Sequence, residues 1–443
     1  MRTFARSSLV IALVAVALVA VAGVARGNPL SLARFGGLRG DAVQSGAFAL
    51  YWNPAALAGE GWDVGLDLEL IARQASYDRD ADLNYVPDAA RAANSGVATI
   101  STVGVVPSLF ARYGRRVGTF DVGVGFGVFV ENGGSANWNK NLGAPTAFPG
   151  AVDGPQRWAS ISAQLLLVDL GLGLSARHRR SGLSLGFVPI LVAGSFSTVR
   201  ARNIDQSEDL VDASGNPKEG RAYFDGSGVG FSAIIGLRWD HRAGFSVGAT
   251  YQRGARLGLA GDLRVAFGTQ APSTQKATLD LPIADTVRLA AALPLTRWLT
   301  LRPSLELAIW SVLKEHVFSA ADGTPLFVIP RNSRDMLAAR LRADARLSDR
   351  WRLMVGVGGE RGPTPSSTME PGFGERSNVE AGAGASFALS HHVDLSATFL
   401  FQYFLPVTVE NSIQRPTANG TYRDAREIFV VDVEVHGWRP TVR

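Results

Sequence analysis

The chain contains no cysteine, which removes disulfides, thiolate metal sites and cysteine nucleophiles together. Charge is scarce: Asp, Glu, Lys and Arg make up 19% of 443 residues, and 44 basic against 39 acidic leaves an excess of five. The basic residues are scattered, so the footprint of a nucleic-acid binder is missing. The six histidines, His178, His241, His316, His391, His392 and His436, form no H-x-x-x-H pair and no metal-ligand spacing. Four fall at tight turns, and all read as surface residues. No metal, cofactor or ATP site is expected, because no Walker string or ligand cluster is present. Beyond Gly27 no apolar stretch approaches ~18 residues without polar interruption, which excludes further membrane-crossing helices.

What is present begins at the N-terminus. Arg2 and Arg6 precede an uncharged apolar run from Ser7 to Ala25. Gly23-Val24-Ala25 and Ala25-Arg26-Gly27 are both small-x-small, the pattern signal peptidase reads. Residues 1–27 are therefore expected to be a cleaved signal peptide, cut after Ala25 or after Gly27. An uncleaved helical anchor is the competing reading. An exported chain without further apolar helices is either a secreted soluble protein or an outer-membrane barrel.

Residues 119–130 alternate. Every even position from Phe120 to Val130 is large and apolar, whereas Thr119, Asp121, Gly123, Gly125 and Gly127 are small or polar. Period two over such a length is a β-strand with one greasy face. Trp62, Val64, Leu66, Leu68 and Leu70 alternate with Asp63, Gly65, Asp67 and Glu69, and Phe429, Val431, Val433 and Val435 with Asp432, Glu434 and His436. The pattern places strands near 62–77, 104–114, 118–130, 157–176, 181–199, 226–239, 243–257, 277–292, 298–316, 335–347, 350–361, 376–389, 392–408 and 425–438. That is about fourteen, an even number as outer-membrane barrels require, and many exceed the usual ~5–6 residues of globular strands.

Soluble sandwiches also alternate, so the links between strands decide. After even-numbered strands they are tight, as at Arg115-Arg116-Val117, Asp240-His241-Arg242 and Ser348-Asp349. After odd-numbered strands they are long, as from Asp78 to Val103, Glu131 to Gln156 and Arg200 to Asp225. Short periplasmic turns opposed to long outer loops define a transmembrane antiparallel β-barrel, here over residues 62–443. Trp62, Trp239, Trp298, Trp351 and Trp438 all fall at the short-turn ends, where an indole belt should mark the headgroup layer.

Three other features are set aside. Gly182-Leu-Ser184-Leu-Gly186 and Gly244-Phe-Ser246-Val-Gly248 match G-x-S-x-G, but both lie inside alternating strands and lack the strand-to-helix turn of a nucleophile elbow. The Arg340, Arg342 and Arg346 row reads as a set of lumen residues paired with carboxylates across a wet interior.

Residues 28–61 do not belong to the wall. They lack alternation and are rich in small residues, yet Leu30, Leu32, Phe35, Phe48, Leu50, Tyr51 and Trp52 are too apolar for a solvated tail. About thirty-four residues cannot make an independent core, so the segment is expected inside the barrel as a plug, with Asn53-Pro54 as a turn.

The string from Ala49 through Asn53-Pro54-Ala55 to Ala58 resembles the N-terminal hatch of the FadL/OmpP1/TodX family of outer-membrane transporters for hydrophobic compounds. Pro107-Ser-Leu-Phe, Leu281-Pro282, Trp310-Ser311 and the stretch from Arg361 to Pro365 extend the likeness along nearly the whole mature chain. The resemblance implies a monomeric fourteen-stranded barrel closed by the hatch. Hydrophobic small molecules, fatty acids or hydrocarbons, would enter passively near the long loops, and outer-membrane lipid would receive them laterally. It places Asn53, Pro54 and Ala55 at the gate, Gly123, Gly125 and Gly127 at an inward kink of the third strand, and Leu30, Leu32 and Phe35 around the ligand. Fatty-acid members dock a carboxylate on basic residues; Arg200 and Arg331 are the nearest candidates, which leaves fatty acid and neutral hydrocarbon both open. A nonspecific porin, an outer-membrane hydrolase using Ser184 or Ser246, and a surface adhesin are the competing functions.

Overall fold

The computed structural model describes residues 34–80, 88–144, 147–268 and 270–437. One antiparallel sheet closes on itself, because its first strand pairs with both the second and the last. The wall has fourteen strands. They are β1 Gly61–Arg79, β2 Gly96–Val117, β3 Phe120–Phe129 resuming at Gly133–Asn137, β4 Ser162–His178, β5 Leu183–Arg202 and β6 Gly220–Asp240. Next come β7 Ser246–Arg253 with Arg256–Ala266, β8 Ser273–Pro282 with Asp285–Pro294, β9 Leu299–Ile309 with Glu315–Ala320, and β10 Pro325–Pro330 with Met336–Arg346. The last are β11 Trp351–Arg361, β12 Asn378–Ala388, β13 Val393–Val409 and β14 Gly420–His436.

Burial is inverted relative to a soluble protein. On β1, Leu66, Leu68 and Leu70 are 40–43% exposed, while Asp67 and Glu69 between them are 0% and 5% exposed. Carboxylates turned inward and leucines turned outward fit a wall whose surroundings are hydrocarbon. Trp62, Trp239, Trp298 and Trp351 are exposed at the short-turn end, whereas Trp438 lies outside the described residues.

The strand ends differ from the alternation. Residues 96–103 belong to β2 and 220–225 to β6, both expected as loop, because outward positions such as Thr99, Ser101 and Asp225 are polar and break the apolar alternation, although the inward positions stay buried. Five strands are also interrupted. Between the two halves of β3 lie Val130, Glu131 and Asn132, and the halves of β10 are separated by residues 331–335. The β3 and β10 breaks turn Glu131 and Arg331 into the lumen.

Candidate functional site

The described part of the plug runs through the lumen and is built from short turns. A 3-10 turn at Gly37–Arg39 is followed by α1, Ala49–Trp52, and a second 3-10 turn at Pro54–Leu57. Asn53 creates that last turn: its Oδ1 accepts from the Ala55 amide at 3.1 Å, with Pro54 at the first position where its missing N–H costs nothing. The Asn53 Nδ2 donates to the carbonyls of Ala42 at 2.6 Å and Leu237 at 3.0 Å. A fully buried carboxamide thus spends both ends, one fixing the hatch fold and the other joining it to β6.

The hatch lies on a floor of glycines. Gly123 on β3 faces Ser175 on β4, which faces Gly186 on β5, which faces Gly236 on β6. A Cβ at Gly123 would stand 2.4 Å from the Leu57 carbonyl oxygen, and one at Gly186 would stand 2.2 Å from the Pro54 backbone. At Gly236 it would meet Asn53 Oδ1 at 2.1 Å, and at Gly248 the Ala42 carbonyl at 2.0 Å. Gly125 and Gly127 receive the Leu50 and Leu57 side chains instead. The two G-x-S-x-G strings therefore find their use here: Gly186 and Gly248 seat the hatch backbone. Ser184 lies within β5, and the Ser246 hydroxyl donates to Asp240 at 2.6 Å.

Gly123, Gly125 and Gly127 are not themselves the kink. They pair continuously with β4, from Phe120 opposite His178 to Phe129 opposite Asp169, and the break follows at 130–132. There Glu131 turns inward. Its carboxylate accepts from the Tyr51 hydroxyl at 3.1 Å and from Gln252 on β7 at 2.6 Å. The Tyr51 oxygen accepts in turn from Arg288 on β8 at 2.6 Å. A chain of hydrogen bonds from the break through the hatch to the far wall results. The alternation ending at Val130, before Glu131-Asn132-Gly133-Gly134, was the one local signal of it.

Phe35 is completely buried, but in a packed aromatic group. Its ring lies 4.8 Å from Tyr51 and 5.4 Å from both Phe110 and Phe129, edge-on in each case. It therefore plugs the lumen beside the β3 break and lines neither the cavity between hatch and β8–β9 wall nor the phenylalanine-walled one. Leu30 and Leu32 lie outside the described residues.

The opposite face of the hatch is ionic. Arg34 pairs with Glu380 on β12 at 2.9 Å, Arg39 with Asp432 and Glu434 on β14, and Asp41 with Arg302 and Arg342 at 3.2 Å each. The expected arginine row takes the carboxylate-paired form: Arg340 contacts Glu380 at 2.7 Å and Arg342 contacts Asp344 at 2.7 Å, both inside the lumen. Arg346 pairs with Asp349 at 2.7 Å on the exposed turn.

Above the hatch is an apolar cavity of about 700 Å³, open mouth included, with walls that include Phe196, Phe224, Phe318, Phe327 and Phe373. Its polar end holds Arg200 and Arg331. Both pair with the same carboxylate oxygen of Glu370, at 3.3 Å and 2.7 Å. Arg331 Nε donates to His316 Nδ1 at 3.2 Å, and its guanidinium lies 4.2 Å from the Phe373 ring centre. His316 corrects the surface reading of the histidines, since it and His436 are 3% and 4% exposed. Both sit on inward strand positions, which a single histidine in a polar stretch does not reveal. Glu370 was also missed, because only the fold of the 362–377 segment brings it beneath Arg200.

Among the described residues no group of three metal-ligating side chains occurs. A closed barrel with an inward polar face, an outward greasy one and a hatch across its lumen defines an outer-membrane channel. The profile of the outer membrane protein transport family (OMPP1/FadL/TodX) matches residues 14–436, and the chain belongs to that family. A crystallised Pseudomonas aeruginosa FadL homologue superposes on 92% of this chain and 98% of its own, with TM-score 0.72 and 16% identity. The Pseudomonas putida toluene transporter TodX does so on 94% and 99%, with TM-score 0.66 and 17% identity. The monoaromatic hydrocarbon channel CymD covers 94% and 99%, with TM-score 0.61 and 15% identity. Comparison with curated protein sequences gives no match. The protein is thus an outer-membrane transport protein of this family.

Proposed function

We propose that the protein is a monomeric, passive channel for long-chain fatty acids or similar hydrophobic molecules, gated by its hatch and releasing cargo laterally at the β3 break. Residues 1–27 act as the cleaved export signal, residues 28–61 form the hatch and residues 62–443 the barrel. The observation that carries the reading is the hydrogen-bonded chain of Glu131, Tyr51 and Arg288, which ties the one interruption of β3 to the hatch. Moving α1 breaks that chain and withdraws Phe35 and Tyr51 from the break together. Asn53, Pro54 and Ala55 are the hinge of this movement, and Gly123, Gly125 and Gly127 its bearing surface.

Cargo rests first in the phenylalanine-walled cavity. Burying apolar surface there releases about 25 cal/mol per Å², enough to extract a molecule that hardly dissolves in water. Arg200 and Arg331 receive a carboxylate head where the cargo has one. A second reading, uncharged aromatic cargo, is favoured by the five phenylalanine rings and by Glu370, which already engages both arginines.

The test is uptake of a fluorescent long-chain fatty acid by liposomes holding the protein. Asn53→Ala runs alongside, with folding checked by heat-modifiable gel migration. Wild-type uptake that the folded variant alters supports the gate. Wild-type inertness to fatty acid, with transport of toluene, selects the aromatic reading. Transport of small hydrophilic solutes alone would make it a porin.

A further inference from the structure

Cavities on the two faces of the wall meet at one seam, between β8 and β9. On the lumen side, a cavity between hatch and wall is bordered by Leu38, Trp52, Leu289, Ser304 and Leu305 and by charged side chains, Arg288, Arg302 and Glu306 among them. On the lipid side, an almost wholly apolar groove is rimmed by Leu237, Trp239, Val247, Leu289, Pro303 and Leu305. Leu289, Ser304 and Leu305 border both spaces, so a single backbone layer separates them.

That layer is also where the ladder lapses. β8 and β9 pair from Asp285 opposite Ile309 to Ala290 opposite Ser304, and again at Leu293 with Leu301 and Pro294 with Thr300. The register is unchanged across the lapse, which puts Ala291 against Pro303 and Ala292 against Arg302. Proline has no N–H to give, and Pro303 and Pro294 flank the same short stretch. The neighbouring seams stay closed, β8 to β7 as far as Ala292 with Ser246, and β9 to β10 from Leu299 to Ala308. Ala290, Ala291 and Ala292 put no bulky side chain across the gap. From the lumen it is closed by Ala42 and Val43 of the hatch, packed on Ala290 and Ala292, and by the ion pair of Arg302 with hatch residue Asp41 beside them.

We propose that the β8–β9 seam is a second lateral portal, through which apolar cargo between hatch and wall enters the membrane near its periplasmic face. The inference rests on the hydrophobic-channel reading and adds an exit separate from the β3 break. Its level follows from Trp239, which rims the groove at the short-turn end. Its occupant is an uncharged hydrocarbon chain or ring, because the groove offers almost no polar surface. Below the lapse the hairpin end is held by two residue pairs and by the Leu295 and Thr296 amides donating to the Leu299 carbonyl, so the opening is confined to the stretch at Ala291 and Ala292.

The absence of cysteine makes the test direct. Ala291→Cys with Pro303→Cys places two thiols across the seam. Val130→Cys with Val168→Cys does the same at the β3 break, where those side chains share one apolar cluster. Uptake of pyrene is followed in cells making each folded protein, oxidised and then reduced. Loss of most uptake under the oxidised seam lock, recovered on reduction to the rate of Pro303→Cys alone, supports the portal. Pro303→Val, which returns the missing N–H without a crosslink, should also slow uptake. If wild type imports pyrene and neither the seam lock nor Pro303→Val changes the rate, the portal is wrong while the channel stands. If wild type imports neither pyrene nor fatty acid, both readings fall.

Discussion

The Asn53 carboxamide donates to the backbone carbonyl of Leu237 at 3.0 Å, a side chain of the hatch holding the main chain of a wall strand. The same nitrogen holds the Ala42 carbonyl at 2.6 Å, so one amide joins the two limbs of the hatch and both to β6. Asn53→Ala leaves two buried carbonyls without this donor, at a cost of about 1–3 kcal/mol. The barrel should still form, because its ladders are untouched. Hydrogen exchange across residues 42–58 is expected to quicken while the wall strands stay protected. Unchanged exchange in the hatch would show that Asn53 does not hold it.

The glycine floor makes a paired prediction. Gly236→Ala and Gly186→Ala place a methyl group inside contact distance of Asn53 and Pro54, and overpacking of this kind costs about 1–3 kcal/mol. Gly258→Ala is the comparison, since a Cβ there meets nothing within 4 Å. The first two variants should lower the heat-unfolding temperature of the gel shift and raise leakage of small solutes. Gly258→Ala should match wild type. Equal behaviour of all three would mean that the hatch does not bear on these glycines in the membrane.

Arg331 separates the two classes of cargo. It gives Glu370 a hydrogen bond of 2.7 Å and His316 one of 3.2 Å at the polar end of the phenylalanine cavity. If the cargo is a fatty acid, Arg331→Ala removes a charge-assisted bond worth about 1.5–3 kcal/mol, roughly tenfold or more in affinity. Toluene binding should be nearly unaffected. Titration of both ligands against wild type and variant checks this, and an equal loss for both would assign Arg331 to holding the cavity's shape.

Glu370→Gln gives the opposite sign. Glu370 is the carboxylate that both arginines already hold, so an acidic cargo competes with it. Neutralising it should tighten fatty-acid binding and leave neutral hydrocarbons alone. Weaker fatty-acid binding in a folded variant would show that Glu370 positions the arginines instead.

Arg157 latches the outer loops. Fully buried, it pairs with Glu219 at 3.1 Å and donates to the Ala93 carbonyl at 2.8 Å and Asn94 Oδ1 at 2.7 Å. It thereby joins the loop after β3 to α2, Asp88–Asn94, and to the loop before β6. Arg157→Ala leaves Glu219 paired with Arg221 but takes the donor from the Ala93 carbonyl, and should cost about 1–3 kcal/mol. Limited proteolysis is expected to cut these loops sooner while the barrel core survives. Unchanged cleavage would place the latch elsewhere.

Much of the architecture was legible in single stretches of chain. Trp62 to Leu70 alternate over one face, and the tight and long links alternate by parity, so the wall, its closure and its orientation followed from local pattern. The indoles at 62, 239, 298 and 351 marked the short-turn rim because amphipathic rings select one depth in a membrane. Asn53-Pro54 announced a turn, since a capping side chain followed by a residue without N–H starts a 3-10 helix.

What the sequence alone determined, then, is what depends on neighbours one or two residues apart: strand, face and turn. Only the tertiary structure decided which lumen residues meet. Arg34 and Glu380 lie 346 positions apart, and Arg200 and Glu370 170 apart, yet each pair is in contact. The inward turn of Glu131, the burial of His316 and the fit of Gly236 against Asn53 depend likewise on closing the barrel around the hatch. Alternation is written into each strand, whereas contacts across the lumen exist only once all fourteen strands have closed.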